Sequence, residues 1–157
     1  MEGLLVECGL AIVLFTGTNI DDVFVLLAFF SDRSFRPQEV IFGQYGGILI
    51  LTFGSILLSF FLKAIPNGYV GLMGLIPLGI GLKKPFTKTI IDEKDATPEK
   101  AKAGALGRTL AVVAVTVANG GDNVGVYVPL FATKPGSALV TYIVVFIFLT
   151  AIWCALA

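Results

Sequence analysis

The chain has 157 residues, of which 56% are hydrophobic and 14% charged, and its formal net charge is zero. Soluble domains average about 45–50% apolar and about 25% charged residues, whereas the mean hydropathy here is +0.90. This composition indicates an integral membrane protein embedded in the lipid bilayer, and the zero net charge argues against nucleic-acid binding. There is no histidine, and Cys8 and Cys154 lie in apolar runs, so no disulfide framework or Cys/His metal motif is expected.

Five apolar segments predict membrane-spanning helices, since crossing a bilayer takes about 20 mostly apolar residues. Glu2 and Glu7 stand near the start, and no basic residue precedes the first apolar run. We therefore expect the chain to begin with a retained helix instead of a cleaved signal peptide. Pro66 and Pro77 interrupt the third segment, which fits a short or broken span. The predicted spans are residues 3–30, 40–62, 65–82, 109–131 and 137–157.

Basic residues predict how the chain crosses the membrane. Residues 83–108 form the one long polar segment and carry seven of the eleven Lys and Arg residues. Cytoplasmic loops are enriched in Lys and Arg, so we place this loop in the cytoplasm, and the loop with Arg33 and Arg36 follows it there. Only Lys63 and Lys134 then remain on the other side. This predicts an N-terminus outside the cell and a chain that ends inside.

The sequence contains an internal repeat. The stretch TNIDDVFVLLAFF at 18–30 aligns with NGGDNVGVYVPLF at 119–131, so that Asp21 falls on Asp122 and Asp22 on Asn123. Three predicted spans separate the two copies, and an odd number reverses their direction, which is typical of an inverted-topology repeat. The predicted fold is an all-α, 3+3 inverted repeat in a single transporter domain, residues 1–157. Its first repeat covers about 3–82 and its second about 109–157, with the last helix expected to be missing.

The repeated polar cluster predicts a cation site. An aspartate at the centre of a membrane helix costs about 2.5–3.5 kcal/mol, so these carboxylates should face each other, a water-filled cavity or a cation. Gly17 and the Gly120–Gly121 pair would let the helices unwind and offer backbone carbonyls. Such an oxygen-rich set suits a divalent cation. The predicted ligands are Asp21, Asp22, Asp122, Asn19, Asn119 and Asn123, with Thr18, Gln44, Tyr45, Gly120 and Gly121 as supporting residues.

Structural roles without a cation also fit the polar residues of these motifs. Asparagine and threonine in a membrane helix often join neighbouring helices by hydrogen bonds. Asp22 would instead cap a helix at the membrane surface if the first span ended early. Gly43 and Gly47 form a small-xxx-small pair, which predicts close helix packing.

Three motifs resemble those of the bacterial cadmium resistance transporters, which belong to the lysine-exporter superfamily. They are TNIDD at 18–22, GQYGG at 43–47 and NGGDNVGVYVPLF at 119–131. The resemblance implies a multi-pass protein of the bacterial plasma membrane that exports Cd²⁺ from the cytoplasm, and it points to the same aspartates and asparagines. Cadmium prefers thiolate ligands, whereas the motifs offer oxygen alone. The residues themselves therefore favour a divalent cation without choosing which.

The sequence has no Walker motif, so we expect a secondary transporter that needs no cofactor. A carboxylate cannot hold a proton and a cation at once, which predicts proton–metal exchange. One alternative is an exporter of amino acids or other small organic solutes, and another is a non-transporting membrane subunit. An intramembrane aspartyl protease would need glycine where Asn119 stands, so no enzyme is expected. A homo-oligomer is a further alternative, in which a neighbouring copy would supply the missing helix.

Overall fold

The computed structural model describes residues 2–63 and 104–157, and every regular element within these ranges is an α-helix. The all-helical fold class is therefore confirmed. The predicted third span and most of the polar loop lie outside the described residues. The helices are α1 (Glu2–Asn19), α2 (Asp22–Ser31), α3 (Pro37–Lys63), α4 (Ala105–Asn119), α5 (Gly121–Thr133) and α6 (Gly136–Leu156).

Two of these helices, α3 and α6, are long and apolar enough to cross a bilayer. The α1–α2 pair makes a third candidate span, bent by 59° at the break between its halves. The described part of the chain therefore contains two or three candidate spans, which is consistent with a membrane protein. The count of five spans stays a prediction.

Both segments that carry the repeated motif are broken, although residues 3–30 and 109–131 were each predicted as one span. α1 ends at Asn19 and α2 begins at Asp22, while α4 and α5 are separated by Gly120. In the first segment, Asn19 Nδ2 donates to the carbonyl of Phe15 at 2.8 Å, so the side chain of Asn19 folds back onto the preceding turn where the helix ends. In the second, Gly120 has low helix propensity.

Gly17 was expected to unwind the first helix, and this prediction is wrong. Gly17 lies inside α1, and the break follows at Ile20 and Asp21. Thr18 donates its hydroxyl proton to the Leu14 carbonyl at 3.0 Å, so side-chain bonds complete the last turn of α1 beyond Gly17.

Glycines let α3 pack closely on α4. A Cβ atom on Gly47 would lie 2.5 Å from the Cβ of Thr116, and one on Gly43 would overlap the side chain of Val112. The packing role predicted for this glycine pair is confirmed. Gly120 extends the contact, because a Cβ there would overlap the side chain of Leu51. The second helix break therefore sits directly against α3.

An aromatic cluster holds α1, α5 and α6 together. The ring of Phe146 on α6 lies 5.2 Å from Phe15 and 5.0 Å from Tyr127, measured between ring centroids. All three residues are buried. The opposite faces of the helices carry exposed apolar side chains, such as Phe61 on α3 at 76% and Phe148 on α6 at 66% exposure. This distribution fits helices that face lipid.

Two ion pairs mark different ends of the helices. Lys134, between α5 and α6, contacts Glu7 near the start of α1 at 2.8 Å. Arg108 near the start of α4 contacts Glu39 near the start of α3 at 2.6 Å. The start of α1 therefore lies beside the end of α5, and the starts of α3 and α4 lie side by side.

Candidate functional site

The carboxylate of Asp22 is buried at the first break. Asp22 is the first residue of α2 and is 3% exposed. Its Oδ1 accepts a hydrogen bond from Asn119 Nδ2 at 2.7 Å, and its Oδ2 accepts one from Gln44 Nε2 at 3.0 Å. Thr116 donates to Gln44 Oε1 at 2.7 Å, which orients the amide toward the carboxylate. A carboxylate inside apolar helices is thus stabilised by two amide donors.

Asn19 and Asn123 form a second link between the two breaks. Asn123 Nδ2 donates to Asn19 Oδ1 at 2.8 Å. Asn19 Nδ2 in turn donates to the hydroxyl of Tyr127 at 2.9 Å, and the backbone carbonyl of Asn19 accepts a bond from Trp153 Nε1 at 2.6 Å. The end of α1 is therefore fixed by α5 and α6 together.

One oxygen in this cluster has no donor. Asn123 is 1% exposed, and its Oδ1 has no hydrogen-bond partner. Leaving a buried acceptor unsatisfied costs about 1–3 kcal/mol. An amide oxygen without a partner has the chemistry of a cation ligand, since amide carbonyl oxygens bind hard cations well.

Asp21 and Asp122 stand next to these residues in the sequence and are half-buried. Asp122 Oδ1 accepts the backbone N–H of Asn123 at 3.2 Å, and the charges of both aspartates act on Asp22. Across residues 2–63 and 104–157, no three His, Cys, Asp or Glu side chains form a group able to hold a metal ion. The cluster therefore combines carboxylates with amides.

Of the five residues predicted to support the site, four lie at the helix breaks and the fifth, Tyr45, does not. Gln44 bonds directly to Asp22, and the hydroxyl of Thr18 lies 2.9 Å from that of Tyr127. Gly120 forms the second break, and Gly121 begins α5. Tyr45 points elsewhere, because its hydroxyl donates to the carbonyl of Ile147 on α6 at 3.2 Å.

A single family match covers both helix breaks and the polar junctions beside them. A family model described as “Cadmium resistance transporter” matches residues 15–157. The chain belongs to the cadmium resistance transporter family. Comparisons with curated proteins and with solved structures gave no match. The resemblance seen in the three motifs is thus confirmed over most of the chain.

Membership in the cadmium resistance transporter family indicates where the protein lies and what kind of function it has. Together with the apolar helices it makes this a multi-pass membrane protein whose family points to transport and not to catalysis. The family is one of metal-ion transporters, and it indicates no cofactor. The site residues themselves are argued from their geometry.

Sequence reasoning about this transporter missed Thr116, Tyr127 and Trp153. Tyr127 lies four residues after Asn123, and Thr116 lies three before Asn119. Residues with these spacings share one helix face, so the helical period alone could have added both to the candidates. No local signal points to Trp153, because its contact with Asn19 depends on how α6 packs.

Proposed function

We propose that this chain exports a divalent cation from the cytoplasm, with Cd²⁺ as the favoured substrate, and that the cation binds between the two helix breaks. One observation carries the proposal. A buried carboxylate at Asp22 and an unpartnered buried oxygen on Asn123 stand at the starts of α2 and α5. Family membership supports a metal ion as the substrate.

The packing of the half-helices supports an inverted repeat. Asp22 at the start of α2 bonds to Asn119 at the end of α4, and Asn123 at the start of α5 bonds to Asn19 at the end of α1. α1 packs against α5, and α2 packs against α4. Two broken helices that run in opposite directions would pack in this way. We therefore propose a 3+3 arrangement in one transporter domain, residues 1–157, with repeats over 3–82 and 109–157.

In the proposed site, Asp22 supplies negative charge and Asn123 supplies a neutral oxygen. A cation at Asp22 would replace the amide donors of Gln44 and Asn119. Rotation of the Gln44 amide would present its oxygen to the cation, while its nitrogen would donate to the hydroxyl of Thr116, which both donates and accepts. The proposed ligands are Asp21, Asp22, Asp122, Asn19, Asn119 and Asn123.

Exchange for protons follows from carboxylate chemistry. A carboxylate oxygen that binds a cation cannot hold a proton, so metal and proton would load the site alternately. Entry of protons down their gradient would then drive the cation out of the cell. In the proposed orientation, in the plasma membrane, the Glu7–Lys134 end faces outward and the Glu39–Arg108 end faces the cytoplasm.

The test is metal flux in proteoliposomes with an imposed pH gradient. We expect Cd²⁺ flux that follows the gradient and is lost in Asp22→Asn and Asp122→Asn, with Zn²⁺ and Mn²⁺ measured in parallel to rank substrates. An excess of free lysine should not compete, whereas an exporter of amino acids would be inhibited. A wild-type protein that folds but moves none of these cations would contradict the proposal.

A further inference from the structure

Three hydroxyl groups follow the candidate site along α3. Thr52 is 2% exposed, and Ser55 and Ser59 are both 0% exposed. They come 8, 11 and 15 residues after Gln44, which are close to whole numbers of helical turns, so all lie on the face of α3 that meets Asp22. By helix rise they stand about 12 to 22 Å beyond Gln44, toward the end of α3 at Lys63.

The opposite face of the same stretch is apolar and exposed. Phe53, Leu57 and Phe61 are 49%, 62% and 76% exposed. α3 therefore turns its hydroxyl groups toward the protein interior and its large hydrophobic side chains toward lipid. The desolvation cost of a hydroxyl inside a membrane is offset where the group has a hydrogen-bond partner, so the partners of these three hydroxyls matter.

Two of these three hydroxyl groups have hydrogen-bond partners, and one has none. Thr52 and Ser59 donate to backbone carbonyls of α3 itself, those of Ile48 and Ile56, each at 2.7 Å. The Oγ of Ser55 is buried and has no partner. Hydroxyl oxygens accept hydrogen bonds from water and coordinate hard cations. A buried hydroxyl with no protein partner is a place where such a ligand would bind.

We propose that Thr52, Ser55 and Ser59 line a half-channel, which fills with water when it opens and carries the cation from the candidate site to the outer face. This inference rests on the proposed function. Ile48 and Leu51 are buried on the same face of α3 between Gln44 and Ser55, so they separate the half-channel from the site in this conformation.

The helix break offers a way to open that barrier. Leu51 packs directly against Gly120, the residue between α4 and α5. A change in the angle at Gly120 would therefore move the surface on which Leu51 rests. The half-channel then opens to the site when the second break changes shape, which would link cation binding to release.

The test uses single cysteines in a Cys8→Ser, Cys154→Ser background and a membrane-impermeant cationic thiol reagent. It is applied to the outer face of intact cells and, separately, to inverted vesicles. We expect Ser55→Cys and Ser59→Cys to react from outside at least ~10-fold faster than the lipid-facing control Leu57→Cys, because a thiol becomes a reactive thiolate in water. Equally slow labelling of Ser55→Cys and Leu57→Cys from both sides, or labelling of Ser55→Cys only in inverted vesicles, would overturn the half-channel.

A flux measurement separates this inference from the proposed function. Ser55→Leu should obstruct the path and lower Cd²⁺ flux well below that of Ser55→Ala, while Ser59→Cys in the Ser55→Leu background should still react from outside and so report an intact fold. Wild-type flux in Ser55→Leu would overturn the route. If the unaltered protein moves no cation but Ser55→Cys is labelled from outside, the proposed substrate is wrong, whereas the water-filled half-channel is supported.

Discussion

The side-chain amide of Asn123 donates a 2.8 Å hydrogen bond to the amide oxygen of Asn19, which joins the start of α5 to the end of α1. A second bond, from Asn119 to Asp22, joins the end of α4 to the start of α2 in the same manner. Each break is therefore fixed by the other. A rotation of one half-helix changes the side chains that meet at both junctions, so binding and conformation are expected to be coupled.

The first prediction concerns the charge at the junction. Asp22→Asn keeps the size of the side chain but removes the charge that attracts a cation, so we expect loss of Cd²⁺ transport. The Gln44 amide can rotate so that its oxygen accepts a bond from the new side-chain N–H while its own N–H donates to the hydroxyl of Thr116, so no buried group is left without a partner. Stability should therefore stay within about 1.5 kcal/mol of wild type, the net contribution of one hydrogen bond. Flux in proteoliposomes and thermal unfolding in detergent measure the two effects.

Asp32→Asn is the matched control for the Asp22 substitution. Asp32 lies between α2 and α3, where its Oδ1 accepts the backbone N–H of Ser34 at 2.8 Å. Asparagine keeps an oxygen able to accept this bond, so transport and stability should both stay near wild type. Equal transport by Asp22→Asn and Asp32→Asn would show that the buried carboxylate does not bind the cation.

The second prediction concerns the positioning role of Tyr127. Its hydroxyl accepts a hydrogen bond from Asn19 and lies 2.9 Å from the hydroxyl of Thr18. Tyr127→Phe keeps the ring contacts with Phe146 but removes one of the hydrogen bonds that orient the Asn19 amide, while those to the Phe15 carbonyl and from Asn123 remain. Losing one net hydrogen bond of about 0.5–1.5 kcal/mol should weaken Cd²⁺ binding by roughly 2- to 10-fold, which isothermal titration of the purified protein can measure.

Tyr142→Phe supplies the comparison for Tyr127. Its hydroxyl donates to Glu7 at 2.8 Å, at the end of α1 away from the junction. Both variants remove one phenol oxygen from a buried ring, yet only Tyr127→Phe should alter metal affinity. An identical affinity in the two variants would argue that Asn19 needs no orientation by Tyr127.

The sequence predicted the long apolar helices well and the helix breaks poorly. Residues 40–62 and 137–157 were predicted as spans, and the structure has helices over Pro37–Lys63 and Gly136–Leu156. Hydropathy averaged over about 20 residues finds such segments but passes over a break of one or two residues. The break before Asp22 depends on where the side chains of Thr18 and Asn19 bond, and a hydropathy average does not record this.

Part of the candidate site follows from the internal repeat. Aligning the two motifs predicted that the polar residues of both copies form one cluster. The structure places Asp22 beside Asn119 and Asn19 beside Asn123. The bond between Gln44 and Thr116 joins residues 72 positions apart. It arises from the close α3–α4 packing that the glycines permit, so no local pattern could have predicted it.

The third prediction concerns that packing. A methyl group at Gly47 would lie 2.5 Å from side-chain carbons of Thr116, so Gly47→Ala must push α3 and α4 apart. Overpacking of this kind costs about 1–3 kcal/mol, and displacement of Thr116 would also disturb Gln44. We expect a lower unfolding temperature in detergent together with reduced Cd²⁺ flux.

Gly54→Ala tests whether the effect at Gly47 comes from close contact or from helix propensity. A Cβ atom at Gly54 meets nothing within 4 Å, so alanine there should be neutral or stabilising, by up to about 1 kcal/mol. If Gly47→Ala were as stable as Gly54→Ala, the tight approach of α3 to α4 would not exist in the membrane.

The fourth prediction concerns the ion pair between the starts of α3 and α4. Arg108 Nε and Nη2 donate to Glu39 at 2.7 and 2.6 Å, and the backbone N–H of Arg36 donates to the same carboxylate at 2.9 Å. Arg108→Gln removes the guanidinium but leaves the carboxylate charged, so it should lower the unfolding temperature more than Arg108→Gln combined with Glu39→Gln. This non-additivity is expected for two groups that interact directly.

Arg33→Gln, a change at an exposed residue of the loop between α2 and α3, serves as the control and should leave the unfolding temperature unchanged. A double variant whose loss equals the sum of the two single losses would mean that Glu39 and Arg108 do not stabilise each other, and α3 and α4 would then be joined by the glycine contacts and the Gln44–Thr116 bond.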